Sequence, residues 1–289
     1  MNSVAIVGSD GFIGKKLSFY LESQNYHVKK FNSKNPIFFN SEFKKQIFGV
    51  QHIIWCAARV NPITAQLRED LVELELNEWK IFLKSCGSYL QSNQSIIFLS
   101  SGGCIYTAGS NSFSEEDEAF GANQYGRLKI AMENELIKSG LPNSILRVAN
   151  VYGPNQPYGR GQGVIAEWIN SIQNGKEIRV YGELDSFRDY LFIEDLCFAI
   201  QLVIENVSLE NIFNVGTGVA TTLQDILDVL VNLGGDKMEI IRMKGRQIDR
   251  SGYYLNISRI KNVLGWIPKY SLNSGILKTL NFNGNNSKK

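Results

Sequence analysis

Two residues four apart, Tyr125 and Lys129, have the types and spacing for acid–base chemistry. They stand in a segment, 122–137, that reads as helix. Residues i and i+4 share a helical face with Cβ atoms about 5–6 Å apart, so the ammonium can sit beside the phenol without a loop to hold it there. A cation at about 4–6 Å favours an ionised neighbour and can lower its pKa by about 1–3 units. From about 10 for free tyrosine, that moves Tyr125 toward the range where a general acid or base works near neutral pH. The spacing alone is common on amphipathic helices, so its meaning depends on the elements that position it.

The first of those elements lie at the N-terminus. Val4-Ala5-Ile6-Val7 is a continuous apolar run, the pattern of a buried parallel strand. It feeds into Gly8-Ser9-Asp10-Gly11-Phe12-Ile13-Gly14, after which 15–23 reads as helix. Strand, glycine turn and helix start make a phosphate cradle. Gly8 permits the turn, Gly11 lets a pyrophosphate approach, and Gly14 allows close helix–strand packing. A second strand, 26–31, ends at Asn32-Ser33-Lys34. In a dinucleotide-binding unit that place, about 20 positions past the glycines, often holds an acid for the adenosine ribose. With no carboxylate and a lysine beside a hydroxyl, the site suits a 2′-phosphate, so NADP(H) is favoured and NAD(H) is the alternative.

Strand and helix go on alternating. The apolar segment 52–58 ends in the small residues Cys56-Ala57-Ala58, which let a cofactor pass close. A helix over 71–87 carries Asn77, and the strand 95–100 ends in Ser100-Ser101-Gly102-Gly103. Ligands of open α/β sheets bind at the carboxyl ends of strands, so these hydroxyls are candidate active-site groups. After the Tyr125 helix comes a strand at 144–148. The expected fold is α/β: a Rossmann-type, doubly wound parallel sheet over 1–152, then a smaller, interleaved substrate domain over 153–289. Residues of about 190–235 are expected to pack back on the first domain. Beyond the turn-rich stretch 155–163, Val164 opens a helix, 178–181 reads as strand, and helices start at Ile193 and Thr222. Leu264-Gly265-Trp266-Ile267-Pro268 stops the last major element, and the Asn-, Ser- and Lys-rich tail after Phe282 reads as frayed.

Composition excludes other classes. The chain has 289 residues, 44% apolar and 20% charged, with a net charge of +2, which gives no polyanion-binding signal. Cys56, Cys86, Cys104 and Cys197 stand far apart, and His27 and His52 have no ligand-like neighbours, so neither a metal site nor a disulfide framework is expected. A reducing cytoplasmic setting fits that cysteine usage. The apolar start breaks at Gly8 and reads neither as signal peptide nor as membrane span.

In order along the chain stand Gly8-x-x-Gly11-x-x-Gly14, Ala57-Ala58, Asn77, Ser100-Ser101, Tyr125-x-x-x-Lys129, Leu146-Arg147-x-x-Asn150-x-Tyr152-Gly153-Pro154, Arg188-Asp189-Tyr190 with Asp195, and Leu264-Gly265-Trp266-x-Pro268. Together they resemble the extended short-chain dehydrogenase/reductases, specifically the nucleotide-sugar epimerase/dehydratase group that includes UDP-glucose 4-epimerase-like enzymes and 4-keto-sugar reductases. The resemblance covers nearly the whole chain. It implies that Tyr125 is the catalytic acid/base and that Lys129 binds the nicotinamide ribose and lowers the Tyr pKa. It implies further that Gly8, Gly11, Phe12, Ile13 and Gly14 hold the pyrophosphate, and that Cys56, Ala57, Ala58, Asn77 and Ser100 line the cofactor cleft. Gly102, Asn150 and Val164 would then meet the nucleotide sugar, and Arg188 and Arg246 would clamp its diphosphate, each through paired charge-assisted hydrogen bonds. A homodimer through a four-helix seam of 71–82 and 130–137 is implied as well.

The chain departs from the family at four places. Gly102 stands where a Ser or Thr is usual, leaving Ser101 to act if the strand end bulges. Asn40-Ser41 replaces the usual Asp at the adenine, and Asn32 replaces the ribose acid. Gly103-Cys104 stands where dehydratases carry an Asp-Glu pair, which argues against dehydration. The expected function is reduction of a 4-keto-(deoxy)sugar nucleotide. An NAD-dependent 4-epimerase is the alternative, and a non-catalytic NADP-sensing protein, whose mark would be a missing Tyr or Lys, a distant third.

Overall fold

The computed structural model of the chain describes residues 3–39, 42–43, 47, 49–90, 94–106, 112–159, 161–206, 212–235, 238–245 and 252–286. Along β1 (Ser3–Val7) the side chains alternate between two cores. Val4 and Ile6 face one cluster, with Leu17, Leu196 and Ile200, while Ala5 and Val7 face another, with Trp55, Trp79 and Phe98. Such a strand needs helices on both sides. The chain supplies them: α1 (Phe12–Ser23) returns to β2 (His27–Phe31), which pairs in parallel with β1. A short hairpin, β3 (Phe38–Phe39) with β4 (Glu42–Phe43), precedes β5 (His52–Trp55), which lies on the other side of β1. Helices α2 (Pro62–Leu67) and α3 (Glu69–Tyr89) then lead to β6 (Ser95–Ser101). A four-residue helix α4 (Gly102–Ile105) follows, then α5 (Gln124–Lys138) and β7 (Asn143–Val148).

These strands form one parallel six-stranded sheet in the order β12-β7-β6-β5-β1-β2, where β12 is Ile212–Val215. The order reverses at β1, and the cleft of such a sheet lies at that point, outside the carboxyl ends of the strands. This is the doubly wound Rossmann-type sheet the sequence implied.

A third apolar cluster forms the smaller lobe. It gathers β8 (Asn150–Tyr152), α6 (Val164–Gln173), β9 (Ile178–Tyr181) and β11 (Tyr190–Phe192), the last just after β10 (Phe187–Arg188). Here the interleaving differs from expectation. Helix α7 (Ile193–Glu205) packs on α1 and β12 joins the sheet, but α8 (Leu223–Leu230), which follows β13 (Thr221–Thr222), sends Ile226, Leu227 and Leu230 into the third cluster. Later, beyond β14 (Ile240–Met243), Tyr253, Leu255, Ile260 of α9 (Ser258–Leu264) and Trp266 return to the core of the first lobe.

Two motif residues act as staples between these segments. The Asp195 carboxylate accepts from the Lys269 and Tyr270 N–H groups at 2.8 and 3.1 Å, and its carbonyl accepts from the Trp266 indole at 3.2 Å. Asp189, fully buried, accepts from Thr217 N, Thr217 Oγ1, Gly218 N and Leu255 N. The tail also corrects the sequence reading. A last helix, α10 (Leu272–Asn286), continues well past Pro268 and past Phe282, because Ile276 and Thr279 bury their side chains against the second lobe. Packing there overrides a poor helical composition.

Candidate active site

The carboxyl ends of β1, β5, β6 and β7 and the second lobe enclose one cleft of about 1030 Å³. Phe12 and Ile13, which follow the glycine turn, and Ala57, against which that turn presses, line its near end, whereas Gly8, Gly11 and Gly14 do not line it. Gly8 has a φ of +88°, and a Cβ there would stand 2.7 Å from the Ala57 nitrogen. Only glycine both adopts this conformation cheaply and lets the turn after β1 press on the one after β5. A Cβ on Gly14 would stand 2.2 Å from the Gly8 carbonyl oxygen. Gly8 N and Ser9 N both donate to Phe31 O, at 2.9 and 3.0 Å, tying the turn to the end of β2. Helix α1 starts from Gly11 with no side-chain cap and no acidic residue in its first turn. Its leading N–H groups are therefore left for an anionic partner, and the turn fits a pyrophosphate. Gly14→Ala is expected to lower the melting temperature and to weaken dinucleotide binding at least tenfold, since overpacking costs about 1–3 kcal/mol. Calorimetric titration with NADPH checks this, and an unchanged affinity would take the cradle away from this turn.

Asn32, Ser33 and Lys34 flank the turn rather than line the cleft. The Asn32 Oδ1 accepts from Lys34 N and Asn35 N at 3.0 and 2.8 Å, so that side chain builds its own turn and leaves Ser33 and Lys34 exposed. Asn40 and Arg246 lie outside the described residues.

Tyr125 is set in place from α5's first turn. Asn123 caps that helix by accepting from Gly126 N at 2.9 Å. Gly126 lets the helix press on α4, for a Cβ there would stand 2.0 Å from the Cys104 carbonyl oxygen. Tyr125, Lys129, Cys56, Ala57, Ala58, Phe12, Ile13, Ser100, Ser101, Asn150, Val164 and Arg188 all line the cleft. The Lys129 ammonium lies 5.4 Å from the centre of the Tyr125 ring and 5.0 Å from that of Phe98.

The electrostatics of this pair differ from the sequence expectation. Burial pushes the Tyr125 phenol well above its ordinary value, and the Cys104 thiol and Glu75 carboxylate push the same way. Burial pushes Lys129 down, opposed first by Glu75. Desolvation of a phenol outweighs a cation more than 5 Å away whose field a nearer carboxylate offsets.

Other expected residues lie elsewhere. Asn77 is on the exposed face of α3 and does not line the cleft; Glu75, two residues earlier, turns inward. Gly102 is buried under Leu255, whose Cδ1 would stand 2.7 Å from a Cβ there, so Gly103 and Cys104 border the cleft instead. Strand β6 keeps its register with β7 through Ser101, so no bulge is needed to bring Ser101 to the cleft. The Ser100 hydroxyl, pointing to the opposite face, donates to Glu133 and is spent. Tyr253 was not legible in the sequence. Its hydroxyl is buried at the cleft wall with no hydrogen-bond partner among the described residues, and Arg188 lies 5.9 Å from its ring.

None of the four cysteines is in a disulfide. Among the described residues no cluster of His, Cys, Asp or Glu could hold a metal, and no helix is long and apolar enough to cross a membrane.

A parallel sheet with a glycine turn after its first strand defines a dinucleotide-binding type of fold. More specifically, the chain belongs to the NAD dependent epimerase/dehydratase family, whose model matches residues 4–216, and it is a nicotinamide-dependent enzyme of that family. It is 29% identical over 309 residues to the dTDP-4-dehydro-6-deoxyglucose reductase of Escherichia coli, covering 96% of each chain. It is also 27% identical over 313 residues to a putative UDP-glucose 4-epimerase of Methanocaldococcus jannaschii, covering 99% of each. Among solved structures, the UDP-glucose 4-epimerase of Thermotoga maritima with UDP-glucose superposes with a TM-score of 0.88 at 25% identity, over 99% of both chains.

Proposed function

We propose that the chain is an NADPH-dependent reductase of a nucleoside-diphosphate 4-keto-(deoxy)sugar. The observation that carries this reading is the Tyr125–Lys129 pair in a cleft lined also by Phe12 and Ile13, next to the glycine turn, and by Arg188 in the opposite lobe. A bound nicotinamide supplies the hydride that reduces the carbonyl carbon. Tyr125 gives its proton to the oxygen on that carbon, and its elevated pKa keeps the proton in place at neutral pH until it is needed. Lys129 holds the nicotinamide ribose and offsets the phenolate that the transfer leaves. Ser101 and Tyr253 offer hydroxyls to the sugar, Asn150 and Val164 wall it, and Arg188 takes the diphosphate. Lys34 and Ser33, exposed just beyond the end of β2, favour the 2′-phosphate of NADP. The exposed side chains Leu74 and Ile81 on α3 and Ile137 on α5 support a homodimer through those helices.

A phenol kept protonated starts a reduction directly, whereas an oxidation at the sugar must first find its base. The end-to-end likeness to the Escherichia coli reductase supports the same direction. The second reading, an NAD-dependent 4-epimerase, rests on the UDP-glucose 4-epimerase relatives, and such an enzyme keeps its cofactor and returns the hydride to a rotated keto-sugar. A thermal melt separates the two. NADPH at a hundredfold excess over Kd adds about 2.7 kcal/mol of stability, so a rise of several degrees with NADPH and little with NADH is expected. A dTDP-4-keto-6-deoxyhexose should then consume NADPH stoichiometrically. Interconversion of UDP-glucose and UDP-galactose by protein purified with NAD bound, with no net consumption of cofactor, would establish the epimerase instead.

A further inference from the structure

Glu75 lies on the inner face of α3, 5% exposed, among Val72, Trp79 and Phe82. A carboxylate on an apolar stripe needs partners, and its two oxygens find different ones. Oε2 accepts from Arg59 N at 2.8 Å and Val60 N at 3.1 Å, pinning the turn that continues the cleft-lining residues Cys56-Ala57-Ala58. Oε1 has no hydrogen-bond partner among the described residues and stands 3.9 Å from the Lys129 ammonium, itself 2% exposed.

The other groups around Lys129 do not take this place. Glu133, one helical turn on in α5, is held by Arg147 and Ser100. Cys56, just after β5, and Cys104 in α4 carry thiols rather than carboxylates, and burial raises the Cys56 pKa to about 12, so that thiol stays neutral near pH 7. Tyr125 and Phe98 offer ring faces. Glu75 is the carboxylate near Lys129 that forms an ion pair with no other cation among the described residues, for the Arg59 guanidinium, which also feels its charge, is paired with Glu78.

We propose that Glu75 is a positioning residue for the catalytic pair: bonded on one oxygen to the 59–60 turn, it serves with the other as the buried counter-ion that keeps the Lys129 ammonium charged and aimed along the cofactor cleft. The inference rests on the reading of Tyr125 and Lys129 as the acid–base pair. Without the carboxylate, Lys129 keeps the burial that lowers its pKa and loses the charge that chiefly opposes it, so it gives up its proton at lower pH. The Tyr125 phenol loses a charge that holds its pKa up and shifts the same way.

The test is Glu75→Gln, whose amide oxygen can still accept from Arg59 N and Val60 N. The expected result is a melting temperature near wild type, KM for the nucleotide sugar little changed, and an alkaline limb of the pH–rate profile moved down by about one unit, so that kcat falls by up to about tenfold on the alkaline side; a one-unit shift is the lower end of what a charge at this distance does. Activity should recover toward wild type as the pH is lowered. Glu75→Asp, which keeps the charge, should restore the wild-type limb and serves in place of the Gln variant if that fails to fold. An alkaline limb that stays put, or a loss that is equal at every pH and tracks a lower melting temperature, would reduce Glu75 to a support of the 59–60 turn and overturn the proposal. Tyr125→Phe keeps the two readings apart: if it turns over normally the acid–base assignment falls, whatever Glu75 does.

Discussion

Tyr125→Phe is expected to lower kcat for reduction of a 4-keto-sugar nucleotide by about 10²–10⁴, the usual worth of a positioned general acid. At about 1.36 kcal/mol per decade this is a loss of roughly 3–5 kcal/mol of transition-state stabilisation. The effect should fall on chemistry alone. Phe fills the same volume in the α5–α4 contact that Gly126 and Asn123 set, and no hydrogen bond from the Tyr125 hydroxyl holds the described fold together. NADPH affinity and melting temperature should therefore match wild type while the rate collapses. The pH dependence follows from the direction of the shift. Since burial pushes this phenol above its ordinary value of about 10, the free enzyme holds the reactive proton through the neutral range. Reduction by wild type should then be flat across that range and fall only on the alkaline side. A Phe variant within threefold of wild-type turnover, with its cofactor bound, would falsify the assignment.

The sequence carried the cradle and the pair because each is a local pattern. An apolar run at 4–7 running into glycines, and a Tyr and Lys at helical spacing, can be read within one turn of chain. What the sequence did not show is the phase of longer helices and the meeting of distant loops. On α3, Glu75 and Asn77 are both polar, and two positions on a helix point in nearly opposite directions. The signal was nevertheless present. Val72, Trp79, Phe82 and Cys86 mark the buried stripe, and counting three on from Val72 lands on Glu75, not Asn77. A carboxylate on that stripe was the residue to single out. Tyr253 gave no such signal, since its place beside Gly103, with an Oη 2.4 Å from where a Cβ would stand, depends on a contact between segments about 150 residues apart. The same holds for Gly102. Read as a missing hydroxyl, it is also the position where Leu255 comes down on the end of β6.

Arg147 shows how a motif residue can matter without entering the cleft, and it sets the second large effect. Its guanidinium, 6% exposed, donates through Nη2 and Nε to Glu133 Oε2 at 2.8 and 3.2 Å and through Nη1 to the Tyr106 hydroxyl at 2.9 Å. Tyr106 in turn donates to Asn214 on β12 at 2.9 Å, and Ser100 donates to Glu133. One buried network thus ties β6, α5, β7 and β12 directly behind the Tyr125 helix. Arg147→Met leaves the Glu133 carboxylate buried without its cation, a defect worth about 3–5 kcal/mol, against a total stability of about 5–15 kcal/mol for a typical domain. Urea denaturation should show a large drop in midpoint with little change in slope, because the surface exposed on unfolding is the same. The double variant Arg147→Met, Glu133→Met should be more stable than the single one, since removing both charges removes the uncompensated one. Tyr125 chemistry should survive at temperatures where the single variant is still folded. A single variant that loses less than about 1 kcal/mol would show the pair to be a surface-like contact of small worth, and a double variant less stable than the single would place the cost in packing around the guanidinium stem rather than in the buried charge.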